Sequence, residues 1–377
     1  MDNCFKILGS DHGSAARTGL IKTTHGDIQT PEFIPVGTVA TVKTLSPEEL
    51  RSAGAQVLLG NTYHLFQQPG IDVIVAGGGL VRFMGWGGPT MTDSGGFQVF
   101  SLSSTRRVDE DGVSFKSVYD GSMLTLTPES VLQIQREIGA DLIYALDECS
   151  PYPAEHSEVE RATSLTSRWA ARFIEEWKRT EGDANDFQAA VLVVQGGVYD
   201  DLRRQSVEQF VDLSPTGFAI GGLSVGEPQE EMIRITKLCC EWLPENKPRH
   251  LMGVGKPADM LAAIETGVDL FDCVLPTRNG RNGQAFTSQG IVNIRNKRYR
   301  LDQEPLDTLC DCYACRTFSR SYLHHLTTAG EILGLRLLSL HNVTYYLRLM
   351  SEVRKVIIEN RFSKWRGEIE AGWEEEA

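Results

Sequence analysis

The chain has 377 residues, enough to bury a large core as one domain or two. Its 50 acidic residues outnumber 37 basic ones, and the formal net charge of −13 argues against nonspecific nucleic-acid binding by bulk charge. The first residues, Met1 to Lys6, lack a signal-peptide pattern and no apolar run approaches membrane-spanning length, so a soluble cytoplasmic protein is expected.

Residues 1–30 read as an N-terminal hairpin region, with loose alternation over Arg17–Thr24 and a turn at His25-Gly26-Asp27. A repeating rhythm of short apolar strand, polar or glycine-rich exit and amphipathic helix follows. The strands are expected at Glu32–Val36, Gln56–Leu59, Thr90–Thr92, Asp141–Leu146, Ala189–Val194, Phe218–Ile220, His250–Met252 and Asp269–Phe271. Ser46-Pro47-Glu48-Glu49 and Thr127-Pro128-Glu129-Ser130 carry helix-start signals, as does Glu227-Pro228-Gln229. Glu158–Arg179, Asp200–Phe210 and Pro257–Thr266 fit a helical period. Arg106–Leu126, with turns at Asp111-Gly112 and Asp120-Gly121, interrupts the rhythm as an inserted hairpin. The chain divides into the hairpin region 1–30, a main α/β body 31–285, an insert 286–345 with a basic strip and a cysteine cluster, and a C-terminal helix with an acidic tail, 346–377.

Alternating strands and helices imply parallel pairing, and eight units suggest a (β/α)8 TIM barrel; an open doubly wound sheet shares the alternation. The strand exits favour the barrel. They carry Asn61, Asp93, Asp147, Gln195, Gly221-Gly222, Gly253 and Asp272, and in a barrel those ends converge on one mouth, where the active site sits. The last strand feeds Pro276, Arg278, Gly280, Arg281 and Gly283, read as a loop with two cations. From Cys273 to Leu301 there is no acid, while Arg278, Arg281, Arg295, Lys297, Arg298 and Arg300 form a basic strip on an acidic body. A carboxylate followed by such cations suits an anionic substrate, and an ionised Asp272 is expected beside Arg278 or Arg281.

Three of eight cysteines, Cys310, Cys312 and Cys315, fall within six residues. In a reducing compartment that spacing suggests zinc ligands rather than disulfides, and a closed tetrahedron needs a fourth ligand. His324, His325 and His341 are candidates. We take His341, reading it at the opening of a long helix, and expect one structural Zn²⁺. Asp93-Ser94-Gly95-Gly96-Phe97 sets a carboxylate before two flexible residues and a ring on which a planar ligand could stack. Asp147 and Gln195 at adjacent exits match guanine: the carboxylate accepts from N1–H and the 2-amino group, and the carboxamide donates to O6. Cys149 reads as pocket lining, since no histidine follows it closely.

At these residues the sequence resembles the tRNA-guanine transglycosylases (queuine tRNA-ribosyltransferases), over nearly the whole chain. Matching motifs are Asp93 to Gln98, Leu146 to Cys149, Val194 to Gly197, Ile220 to Glu227, His250 to Gly255, Phe271 to Arg281 and the Cys310/Cys312/Cys315/His341 set. The resemblance implies exchange of guanine at the wobble base of a tRNA anticodon for a 7-deazaguanine. Asp272 would be the nucleophile and Asp93 the proton acceptor. Asp93, Ser94, Gly95, Gly96, Phe97, Asp147, Cys149, Gln195, Gly221, Gly222, Leu223 and Val225 would form the base pocket. Gly253, Val254, Gly255, Lys256, Pro257, Ala258, Asp259 and Thr277, Arg278, Asn279, Gly280, Arg281 would hold the anticodon loop. Val225 stands where the queuine-using branch looks to have glycine, implying the smaller preQ1. A homodimer is also implied. A metal-dependent barrel hydrolase and a noncatalytic RNA-binding module are the rivals. The first needs histidine ligands at the exits, where at most one, His64, stands, and the second leaves three carboxylates at an RNA site unexplained.

Overall fold

The computed structural model describes residues 4–102, 106–117, 119–180 and 187–374. Glu375 and Glu376 of the expected acidic tail lie outside the described residues. Eight parallel strands, Glu32–Pro35, Leu58–Gly60, Thr90–Thr92, Leu142–Tyr144, Ala189–Val194, Gly217–Ile220, Arg249–Leu251 and Leu270–Cys273, form one sheet in which the last pairs with the first. A parallel bridge from Val36 to Leu59 joins the first strand to the second and closes the barrel, so the doubly wound alternative falls. The first seven strands are short runs buried on both faces, as a parallel sheet covered by helices requires, and the eighth is buried at Leu270 and Phe271 and partly exposed at Asp272 and Cys273.

Helices follow the strands where the start signals stand. Ser46 caps Pro47–Ser52 and Thr127 caps Pro128–Ile138, each with a reciprocal capping box. His156–Arg179, Asp200–Leu213, Gln229–Trp242 and Pro257–Glu265 pack their apolar faces on the sheet. The eighth strand is served last. After it come Leu275–Arg281, the insert and then the long helix Ile332–Ile358, which returns to the first strand by packing the Tyr346 ring, tilted by 60°, against Phe33 at 4.7 Å between ring centres. That helix runs across residue 345, where the sequence segmentation divides the chain.

The N-terminal region is a three-stranded antiparallel sheet, Phe5–Ser10, Arg17–Thr23 and Gly26–Thr30, one strand more than a hairpin. It covers the end of the barrel where the strands begin. Its Phe5, Ile21 and Ile28 join the barrel interior, and Arg17 pairs with the buried Asp269 through bonds of 3.0 and 2.6 Å. Arg107–Val108, Val113–Lys116 and Met123–Leu126 likewise form a three-stranded antiparallel sheet in place of the expected hairpin. A cavity of about 400 Å³ lined by His25, Arg136 and Asp141 lies at this strand-start end, away from the polar exits. Among the described residues no helix is long and apolar enough to cross a membrane.

Candidate active site at the barrel mouth

Asp93 leaves the third strand into a pocket of donors. Asn61 Nδ2 and the Thr62 amide (2.9 Å) donate to its carboxylate, as does Gln98 Nε2 (2.9 Å). The group is 7 % exposed, and burial, opposed by these bonds, pushes its pKa up to about 6. The charge of Asp272 adds to the rise, which brings the two carboxylates into one field. Asp147 is set by a second cradle: Ser94 Oγ donates to Oδ1 and Gln195 Nε2 to Oδ2, each at 2.7 Å. Burial raises the Asp147 pKa as well.

The glycines at this mouth are close-approach residues. A Cβ on Gly96 would stand 2.5 Å from the Asp147 carbonyl oxygen, and one on Gly222, at φ 63°, would stand 2.3 Å from Gln195 Oε1. Gly221 presses on the same carboxamide. Phe97 begins the helix Gly96–Leu102 and is 53 % exposed, an aromatic face left open at the mouth. The Cys149 thiol is pushed up to about 12 by burial and by Asp147, which suits a lining residue and not a nucleophile. Leu223 is buried, and Val225 is half-buried on a loop latched by Glu227, whose carboxylate accepts from the Ser224 and Val225 amides.

Asp272 belongs to the eighth strand. Its side-chain hydrogen-bond partner is His250, with Nε2 3.0 Å from Oδ1, and not Arg278 or Arg281. The Gly253 amide donates to the same oxygen at 3.0 Å. The expected cationic loop is instead the helix Leu275–Arg281, which carries exposed Arg278 and half-buried Asn279 and Arg281. Arg281 is held below the ordinary arginine range by burial and by Arg278, and its Nη1 has no hydrogen-bond partner among the described residues. Of the residues expected at an anticodon loop, Gly253, Lys256 and Arg278 are exposed, and Pro257, Ala258 and Asp259 are half-buried. Val254, Gly255, Thr277 and Gly280 are buried; a Cβ on Gly280 would stand 2.7 Å from the Ser339 amide nitrogen. In the strip beyond, Arg295, Lys297, Arg298 and Arg300 are exposed.

Sequence reasoning named Asn61 as a strand exit without giving it a partner, and missed the roles of Thr62 and Gln98 around Asp93, Tyr144 and His250 behind Asp272, Glu227 on the loop, and Arg203 beneath it. Arg203 is fully buried and holds the Val194 and Gly197 carbonyls at 2.8 Å. Thr62, Tyr144 and His250 carry no local signal, because their partners are 31, 106 and 22 residues away. Glu227 was read only as part of a helix start; the helix itself begins at Gln229.

Cys310, Cys312, Cys315 and His341 are buried and place their ligand atoms within 4.8 Å of one another. His341 Nδ1 lies 3.3 Å from Cys315 Sγ and 3.6 Å from Cys312 Sγ. A tetrahedral zinc with ordinary bond lengths separates sulfur and nitrogen ligands by about 3.5 Å, so the cluster fits such an ion. The Phe286 carbonyl, 2.8 Å from His341 Nε2, fixes the ring as an outer-shell partner would. His324 Nδ1 is instead 2.8 Å from the Ile294 carbonyl. His341 lies well inside the helix Ile332–Ile358 rather than at its opening.

The barrel thus brings the carboxylates Asp93 and Asp272 and the Asp147–Gln195 pair to one mouth, with a Cys3His cluster beyond the last strand. A family model described as "Queuine tRNA-ribosyltransferase" matches residues 11–375. The chain is 49 % identical over 359 residues to the queuine tRNA-ribosyltransferase of Francisella tularensis subsp. novicida (strain U112), covering 95 % of this chain and 96 % of that protein. It is 50 % identical over 357 residues to the protein of that name from Psychrobacter sp. (strain PRwf-1), covering 93 % and 92 %. The chain belongs to the queuine tRNA-ribosyltransferase family, the tRNA-guanine transglycosylases, which are pentosyltransferases.

Proposed function

We propose that the chain exchanges guanine at wobble position 34 of tRNAs with GUN anticodons for 7-aminomethyl-7-deazaguanine (preQ1), in queuosine biosynthesis, as a cytoplasmic homodimer. The observation that carries this reading is the pairing at the mouth: a buried Asp147–Gln195 hydrogen bond beside the two carboxylates Asp93 and Asp272. Asp147 accepts from N1–H and the 2-amino group of the base, Gln195 and the Gly222 amide read its other edge, and Phe97 stacks on it. The half-buried Val225 leaves room for an aminomethyl group at the Leu223 carbonyl and crowds the cyclopentenediol of queuine.

Asp272 attacks ribose C1′. The C1′–N9 bond breaks, its electron pair leaves with guanine, and Asp93 gives the departing base a proton. The incoming base then attacks C1′, expels the Asp272 carboxylate and returns a proton to Asp93. Two displacements retain configuration, as in a retaining glycosidase with a base in place of water. A shuttle pKa of about 6 suits a group that must both give and take a proton. Lys256, Arg278 and Arg281 meet the phosphates of a flipped-out nucleotide, so an acidic protein needs no basic body to hold its RNA. Cys310, Cys312, Cys315 and His341 would hold one zinc that folds the insert; the ion takes no part in the reaction. Incubating the protein with radiolabelled guanine and unmodified tRNA tests the reading: label should enter the wobble base alone, and no incorporation, or incorporation elsewhere, would contradict it.

A further inference from the structure

The two oxygens of Asp272 are not equivalent. Oδ1 receives His250 Nε2 and the Gly253 amide, both at 3.0 Å. Among the described residues Oδ2 has no hydrogen-bond or ion-pair partner, and the side chain is 15 % exposed toward the mouth. Behind His250 the chain continues inward. Its Nδ1 lies 2.8 Å from the hydroxyl of Tyr144, with the rings edge to face at 5.6 Å. His250 and Tyr144 are both about 1 % exposed, so neither can exchange these partners for bulk water.

The network fixes the proton positions. Burial, with the nearby charges of Asp272 and Asp93, holds the Tyr144 hydroxyl well above the usual phenol range, so it remains an O–H donor. Its one acceptor among the described residues is His250 Nδ1. Nδ1 is therefore bare, and the imidazole proton sits on Nε2, facing Asp272.

We propose that His250, locked in its Nε2–H tautomer by Tyr144, is a positioning residue for Asp272: with the Gly253 amide it occupies Oδ1 and leaves Oδ2 as the oxygen that bonds to C1′. This rests on the reading of Asp272 as nucleophile. In the first displacement an Oδ2 lone pair forms the bond to C1′ as the C1′–N9 pair leaves with guanine. In the glycosyl ester, Oδ1 is the carbonyl oxygen. When the incoming base expels Asp272, the Oδ2–C1′ pair returns to the carboxylate, and the two donors on Oδ1 take up the charge that develops there. His250 thus acts on turnover in both half-reactions and touches neither base nor RNA.

The test compares His250→Phe, His250→Gln, Tyr144→Phe and Asp272→Asn in labelled-guanine exchange, with kcat and KM measured separately for tRNA and guanine. His250→Phe should lower kcat about a hundred- to a thousandfold with both KM values within roughly threefold of the parent, as loss of one donor to a developing charge does. His250→Gln, whose amide can reach the same oxygen, should recover most of that loss. Tyr144→Phe should lower kcat by less than His250→Phe, because the tautomer is freed but the donor remains. Should His250→Phe fail to fold with the Tyr144 hydroxyl left unpaired, His250→Phe/Tyr144→Phe removes both polar groups and is measured instead. A folded Phe variant with kcat within twofold of the parent, a loss confined to KM, or a Gln variant no better than Phe would overturn the proposal. Exchange by Asp272→Asn would sink the nucleophile reading itself, whereas an inert Asp272→Asn beside a fully active His250→Phe sinks only the positioning role.

Discussion

Gly222→Ala is a sharp probe of how the base is read. Gly222 sits at φ 63°, and an added Cβ would lie 2.3 Å from Gln195 Oε1 and 3.3 Å from its Cδ. An L-residue in that backbone region costs about 1–2 kcal/mol, which should appear as lost stability. The carboxamide must also retreat by roughly 1 Å to restore van der Waals contact. Its bond to Asp147 is only 2.7 Å long and fully buried, so that retreat opens it. Losing a hydrogen bond to a charged group costs about 1.5–3 kcal/mol. At 1.4 kcal/mol per decade, kcat/KM for guanine should fall roughly ten- to a hundredfold. Steady-state guanine exchange with Gly222→Ala, Gln195→Ala and the double variant measures it. If the methyl acts through Gln195, the double variant should match Gln195→Ala alone. Additive losses, or a Gly222→Ala protein within twofold of the parent, would refute the reasoning.

Replacing Cys310, Cys312 or Cys315 by Ser should lower bound zinc and melting temperature together, and full zinc occupancy in His341→Ala would remove His341 as fourth ligand. Asp93 has a raised pKa, so it is ionised above about 6 and protonated below. The half-reaction in which the incoming base gives up its proton should therefore slow tenfold per pH unit below that value, and guanine release should slow above it. Stopped-time measurements of each half-reaction showing no such opposite slopes would count against Asp93 as the shuttle. Val225→Gly should relax discrimination against queuine by roughly ten- to a hundredfold in a two-base competition on one tRNA; equal use of both bases by the parent would show that Val225 does not gate the pocket.

The barrel was legible because a parallel strand buried on both faces is an apolar run, and its exit must turn polar where it meets solvent. Ala189–Val194 followed by Gln195 shows both halves of that signal. Asp93, Asp147 and Asp272 were legible for the same reason. Leu275–Arg281 was read as a loop because Pro276 and Gly280 are punctuation locally. The helix forms because Pro276 sits in its first turn and Gly280 admits the backbone of Ser339. The long helix begins at Ile332, behind Gly330 at φ 77°, where the apolar pattern alone gave no start before His341. His250 was hidden in its strand, since its partners Tyr144 and Asp272 are 106 and 22 residues away and strand periodicity cannot join them.

The proposed exchange passes through a covalent glycosyl-aspartate at Asp272. Protein and unmodified tRNA, mixed, denatured and separated by electrophoresis, should yield an RNA adduct with the parent and none with Asp272→Asn. Mass spectrometry of the digested adduct should place ribose on the peptide containing Asp272. An adduct that persists in Asp272→Asn and disappears in Asp93→Asn would contradict the account and reverse the two roles.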